Sequence, residues 1–201
     1  MKEIWRPGNM LYPLPAVLVT TRSAEGKNNI CTVAWAGTIC SDPAMVSISL
    51  RPSRLSWTYL KETGVFGINL TTEDLARACD YCGVKSGRDT DKFAACRLTV
   101  EEAEKISCPL VAESPVSIEC RVKDEIPCGS HTMFTAEVLA VHADRSCLDE
   151  KGAFRLERAH PIVYSHGAYF GLGKKLGTFG FSVKKNKCGK TVRRKNNKTE
   201  N

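Results

Sequence analysis

The chain has 201 residues, of which 42% are hydrophobic and 25% charged, and its formal net charge is +7. That length and balance describe one domain able to bury a sizeable core, and they exclude a chain disordered over most of its length. No run of about 18 apolar residues occurs, and MKEIWRPGNMLYPLP lacks a basic region followed by an apolar core, so the expectation is a cytoplasmic protein with neither membrane span nor secretory signal.

In chain order, strands are predicted first. PAVLVTT (15–21), ICTVAWAGTI (30–39) and MVSISL (45–50) are rich in β-branched and aromatic residues and bounded by Gly, Pro, Asn or Asp. Ser53 is placed to cap a helix running through Trp57 and Leu60. VFGINL (65–70) reads as the next strand, and Thr71 with Asp74 three residues later reads as the start of a second helix. A short helical turn is expected near DKF at 91–93. PVSIECRV (115–122), MFTAEVLAV (133–141) and PIVYSH (161–166) complete the strands. In PVSIECRV the apolar Val116, Ile118, Cys120 and Val122 alternate with Ser117, Glu119, Arg121 and Lys123, which predicts one buried face. Strands outnumber helices too far for a doubly wound sheet, so the fold class is mostly β: an antiparallel barrel with a few peripheral helices.

The positive charge belongs to the end of the chain. Residues 184–201 hold Lys184, Lys185, Lys187, Lys190, Arg193, Arg194, Lys195 and Lys198 against Glu200 alone, and the rest is formally neutral. Without apolar periodicity, residues 186–201 read as a basic, disordered and solvated tail after a domain spanning 1–185, with nucleic-acid or membrane contact the less favoured reading.

Ten cysteines without a signal peptide or regular spacing are expected to be reduced. Cys79 and Cys82 form the one C-x-x-C, but Leu75, Cys79 and Cys82 also fall on one helical face, so core packing is favoured over redox chemistry. His142, His160 and His166 have no metal-ligand spacing, and no metal site is expected.

The stretch SISLRPSRLSW (47–57) is the candidate site. In a strand, Ser47, Ser49 and Arg51 share a face; Pro52 then stops the ladder, and a helix opens between Arg51 and Arg54 and between the hydroxyls of Ser53 and Ser56. Unpaired amides, partial positive charge, two guanidiniums and two hydroxyls suit a phosphate. Two solvated arginines beside a cap are the alternative. Just upstream, Thr32 to Gly37 sets small residues around Trp35, which lets a flat heterocycle approach the backbone closely; plain small-residue packing is the alternative there.

Five segments together resemble the flavin reductase-like, FMN-binding split-barrel family, in its flavoredoxin-like branch. They are TVAWAGTICSDPAMVSISLRPSR (32–54), CGVKSGRDTDKF (82–93), the GSH of 129–131, PIVYSHGAYFGLG (161–173) and GTFGFSVKK (177–185), in an order and spacing specific to that family. The resemblance implies a Greek-key barrel, FMN near the interface of a homodimer, Thr32, Val33, Ala34 and Trp35 at the flavin ring, and Ser49, Arg51, Ser53, Arg54 and Ser56 toward the phosphate. It makes SGRDTDKF the other wall, with Ser86 and the cation of Lys92. His131 would stand near flavin or nicotinamide, although Ser130 replaces the acid of the family's usual Gly-Asp-His; a strand-start histidine bonded to backbone is the other reading.

Flavin would supply the redox chemistry, leaving the protein to position the ring, tune it and control access. The expected activity is that of an FMN-dependent oxidoreductase taking hydride from NAD(P)H, or electrons from a redox protein partner, onto bound FMN. A reductase that releases reduced flavin and a non-catalytic electron carrier or sensor are the alternatives. No dinucleotide G-x-G-x-x-G occurs, so any NAD(P)H would bind transiently.

Overall fold

The computed structural model describes residues 1–183; the basic tail and the domain boundary at 185 lie outside the described residues. The elements are β1 (Leu14–Pro15), β2 (Val17–Arg22), β3 (Asn28–Val33), β4 (Ala36–Ser41), β5 (Ala44–Leu50), helix α1 (Leu55–Thr63), β6 (Val65–Leu70), helices α2 (Ala76–Val84) and α3 (Lys92–Cys96), β7 (Val100–Glu102), β8 (Pro109–Val111), β9 (Val116–Cys128), β10 (His131–Ala143), β11 (Ile162–Ser165) and β12 (Ala168–Gly171). Strands dominate, every pairing is antiparallel, and the three helices sit at the periphery, as the sequence predicts.

One seven-stranded sheet, in the order β3-β2-β6-β9-β10-β5-β4, forms the body. Its inner face buries Val19, Val46, Ile48, Leu50, Phe66, Ile68, Cys120 and Phe134 in one cluster. The alternation read from 45–50 holds: Val46, Ile48 and Leu50 point inward, while Ser47 and Ser49 remain partly exposed. β9 and β10 are long and irregular in register at Thr135/Ala136 and Val138/Ala140, bulges that let the sheet curl.

Four expectations are corrected. The run 30–39 is two strands, because Val33 pairs with Val17 and Ala36 with Ile48, partners near opposite edges of the sheet that no straight strand could reach together. The chain crosses from one edge strand to the other through Ala34 and Trp35. Ser53 does not cap α1: Arg54 N donates to Arg51 O at 2.9 Å, closing a turn that places Arg54 at the N-cap. Thr71 does not open α2, since its hydroxyl donates to Ala16 O; the helix begins at Ala76, and Thr72 Oγ1 accepts from Leu75 N at 3.3 Å just before it.

The fourth concerns β9, which is buried on both faces over its first half. Ser117 and Glu119 are 3% and 0% exposed, so the polar half of the alternation points into protein rather than water. Each is satisfied there. Ser117 Oγ donates to Asn69 Oδ1 at 2.8 Å, and Glu119 accepts from the Glu104 and Lys105 amides at 2.9 and 2.7 Å and meets His142 Nε2 at 2.6 Å. The loop after β7 folds over this face and is held by that carboxylate.

Candidate functional site: two joined cavities beside the barrel seam

Ala34 and Trp35 fall between the ladders of β3 and β4, with the Trp35 carbonyl accepting from Ser49 N at 2.8 Å. A cavity of about 760 Å³ opens beside them, within the usual range for a ligand of cofactor size. Its lining includes Thr32, Val33, Ala34, Trp35, Ser49, Arg51, Arg54 and His131. A second cavity of about 120 Å³ is lined by Ser53, Arg54, Ser56, Ser86 and Lys92. Cys31 and Arg54 line both, so the two meet there. All twelve residues singled out in the sequence are thus gathered around one composite site.

Their roles within it differ. Thr32 Oγ1 donates to the Cys79 carbonyl on α2, which fixes β3 against that helix. Gly83 packs against Thr32; a Cβ there would lie 3.3 Å from Thr32 Cβ, so the smallest residue keeps α2 close. Ser56 is fully buried and accepts from Asn29 Nδ2 at 2.7 Å and Thr21 Oγ1 at 3.3 Å, so it anchors α1 from beneath the small cavity. Ser53 lies outside, its hydroxyl without a hydrogen-bond partner among the described residues, and its carbonyl accepts from Arg88 at 2.8 Å. Ser86 Oγ accepts from Arg88 N at 3.1 Å, which shapes the facing loop.

Lys92 is the least expected of them. It is 4% exposed, and Nζ donates to the carbonyls of Cys82 and Lys85 at 3.0 and 3.1 Å, satisfying the end of α2. Its pKa lies below the usual lysine value, first because burial penalises the ammonium and also because the Arg54 guanidinium is close, partly offset by neighbouring thiols. Lys85 lines the small cavity too, and no acidic residue does. Among the described residues Arg51 and Arg54 form no ion pair. A cavity lined by three basic residues and no acidic one suits an anion.

His131 opens β10 and is bonded to neither backbone nor acid; Nδ1 stands 2.9 Å from Ser130 Oγ. Its ring stacks on Trp35, with centroids 6.4 Å apart and planes inclined by 24°. Burial, and then the nearby Arg51 charge, hold its pKa below the ordinary histidine value, which favours the neutral ring. Asp80, Tyr164 and Tyr169 also line the large cavity, and Tyr169 donates to Asp80 Oδ1 at 3.3 Å.

Sequence reasoning missed Asn29, Cys31, Asp80, Lys85, Tyr164 and Tyr169 as lining residues. The tyrosines lie in PIVYSHGAYFGLG, which carried the family resemblance, but nothing local shows that β11 and β12 fold back across α2. Among the described residues no cluster of His, Cys, Asp and Glu could hold a metal, and no helix is long and apolar enough to cross a membrane.

The model of the flavin reductase like domain matches residues 9–173. The chain belongs to that family. It is similar to the flavoredoxin of Desulfovibrio vulgaris (Miyazaki F), with a TM-score of 0.86 and 32% identity over 92% of this chain and all of that one. An uncharacterized protein of Archaeoglobus fulgidus is 32% identical over 67% of this chain and 75% of its own length. The reductase component of a 4-nitrophenol 4-monooxygenase/4-nitrocatechol 2-monooxygenase from Rhodococcus opacus is 27% identical over 63% and 65%. The fold is therefore the FMN-binding split barrel, and family membership supports flavin binding and flavin-related redox function. The residues present suit such a ligand: a cavity of cofactor size adjoins a smaller one lined by basic residues, and Ala34 and Trp35 line the larger one between the two ladders.

Proposed function

We propose that the chain is an FMN-dependent oxidoreductase. The reading rests above all on the small cavity, lined by Arg54, Lys85 and Lys92 without an acid and adjoining a cavity of cofactor size. A neutral redox ring alone would gain nothing from three cations, whereas a phosphate monoester would. Arg54, Ser53, Ser86 and Lys92 would hold the phosphate, with Arg51 at the rim. Thr32 to Trp35 would flank the ring. FMN, when bound, supplies hydride and single-electron chemistry; this chain's residues bind it, orient it and limit water around it.

Trp35 and His131 form a stacked wall at the mouth of the large cavity. A neutral His131 offers a ring nitrogen and a flat face to an incoming nicotinamide or substrate without adding positive charge there. NAD(P)H would therefore dock against this wall for the time of one transfer. The alternatives are release of reduced flavin to another enzyme, favoured by similarity to a monooxygenase reductase component, and service as an electron carrier, favoured by similarity to a flavoredoxin.

The working unit would be a homodimer. β4 is an edge strand with Gly37, Thr38 and Ile39 exposed, the kind of open edge that proteins cover. Titration with FMN should quench flavin fluorescence at about one flavin per chain, and NAD(P)H oxidation with and without added flavin separates the three roles. Failure to bind FMN, copurified or added, would end the proposal.

A further inference from the structure

The C-x-x-C of the sequence is not the close thiol pair of the structure. Cys79 packs on Ala16 and Ile162, away from Cys82 in the core. Cys82 Sγ instead stands 3.9 Å from Cys96 Sγ, across the contact between α2 and α3. Cys82 is 0% exposed, but Cys96 is partly exposed and lines a third cavity, about 1080 Å³ in volume, on the outer side of α2. Arg77, Arg97 and Arg158 also line that cavity, together with Glu73, Asp74 and Glu113. One thiol is thus reachable by a small solute and the other waits behind it.

The second observation is mechanical. α3 has five residues; Cys96 ends it and Lys92 begins it. Lys92 Nζ donates to the Cys82 carbonyl, and Lys92 lines the small cavity. Joining the two sulfurs requires a closure of about 1.9 Å, from 3.9 Å to a disulfide bond length of about 2.0 Å, supplied by side-chain rotation and by a shift of α3 against α2. Lys92 stands four positions before Cys96 on the same short helix, so a shift of α3 at Cys96 is passed to it.

We propose that Cys82 and Cys96 form a dithiol switch, oxidised by a low-molecular-weight disulfide entering the outer cavity and acting through Lys92 on the anion cavity. The Cys96 thiolate attacks the incoming disulfide, giving a mixed disulfide and releasing one thiol. Cys82 then displaces the second thiol, its own proton leaving with that thiol. Two protein thiols are oxidised and one small disulfide is reduced to two thiols. Burial keeps the Cys82 thiol pKa well above its ordinary value, so Cys82 serves as the resolving partner and Cys96 as the point of entry.

The consequence for ligand affinity rests on the FMN reading; the disulfide does not. The test treats the native full chain with oxidised glutathione, traps remaining thiols by alkylation and maps the links by mass spectrometry. A Cys82–Cys96 link is expected in the wild type and in Cys79→Ser, while Cys82→Ser should stop with glutathione on Cys96. Glutathione found only on exposed Cys128, or a link between other cysteines, would overturn the pair. In parallel, the oxidised wild type should bind FMN about tenfold more weakly than the reduced protein, and Cys96→Ser should show no change. Equal affinity of the two wild-type forms would overturn the switch with the FMN reading intact; failure of the reduced protein to bind FMN would overturn that reading and leave the map to decide the dithiol.

Discussion

Asn29 Nδ2 donates to Ser56 Oγ at 2.7 Å, with both side chains buried. This bond ties β3, whose end lines the large cavity, to α1, whose first turn lines the small one. Gly87 closes over it: a Cβ at that position would come within 1.9 Å of Asn29 Oδ1, which no rearrangement of a buried, bonded amide easily relieves. Asn29→Ala leaves Ser56 and its neighbours short of a donor. The expected loss is about 1–3 kcal/mol in urea denaturation, with weaker FMN binding alongside. Unchanged stability would mean that the two halves of the site are held together by other contacts.

Glu119 gives the fold a definable acid response. Burial pushes its carboxyl pKa up, but His142 and the amides of Glu104 and Lys105 more than reverse this, leaving it below the ordinary 4.5. The unfolded chain therefore takes up the proton first as pH falls. The stability contributed by this carboxylate is complete above the unfolded value and is lost as pH falls through the folded one. Denaturation midpoints measured from neutral pH to below 4.5 should decline in the wild type and flatten in Glu119→Gln, which starts lower at neutral pH. Parallel curves for the two proteins would assign the acid response to other groups.

Much of this was legible locally. Strand runs such as MVSISL and VFGINL carry their pairing face in alternate residues, and the arginines and hydroxyls around Pro52, close together in sequence, line the same pair of cavities in the fold. What local sequence could not carry was anything decided by a distant partner. The break at Ala34 and Trp35 exists because Val17 and Ile48 lie on strands that the sheet places apart. The burial of Ser117 and Glu119 depends on a loop folding over them. Lys92 looks like a surface cation until the carbonyls of Cys82 and Lys85 surround it, and Cys82 finds its nearest thiol in another helix. The polar half of β9, from Lys123 to Cys128, carries no strand signal of its own because a long hairpin arm needs no alternating apolar face.

Cys79 should behave as packing. Its side chain is fully buried, and burial pushes the thiol pKa up to about 11, so very little thiolate forms at neutral pH, and its sulfur packs away from the Cys82–Cys96 pair. Cys79→Ser places a hydroxyl against Ala16 and Ile162 and should cost about 1–2 kcal/mol, read as a lower melting temperature, with flavin reduction retained. An unchanged melting temperature with flavin reduction abolished would restore a redox role to this residue.

A dimer should appear at micromolar concentration. Ile39 is 49% exposed on the edge strand β4, and Trp35, next to that strand, lines the large cavity. A partner covering this edge would also narrow the cavity mouth. Light scattering should give twice the 22.1 kDa of one chain, and Ile39→Asp should shift the mass toward one chain while weakening flavin binding. A wild-type mass of one chain would show that the groove is complete within a single subunit.

The strongest test of the site compares two ligands in one variant. Arg54 lines both cavities and its guanidinium has no acid partner among the described residues. Arg54→Ala removes a charge-assisted hydrogen bond to a phosphate that carries nearly two negative charges, and FMN affinity should fall by about tenfold to a hundredfold. Riboflavin has the same ring and ribityl chain without the phosphate, so its affinity should scarcely change. Damage to the fold would weaken both ligands alike, and the difference between them cancels it. Arg51 stands one residue beyond β5 at the rim of the large cavity, so Arg51→Ala should give the same pattern with a smaller loss. Lys92→Met should weaken FMN and also lower stability, because two carbonyls at the end of α2 lose their donor. Calorimetry with both flavins on the three variants orders these contributions. Equal losses for FMN and riboflavin in Arg54→Ala, or no loss for either, would place the phosphate outside the cavity that Arg54, Lys85 and Lys92 enclose.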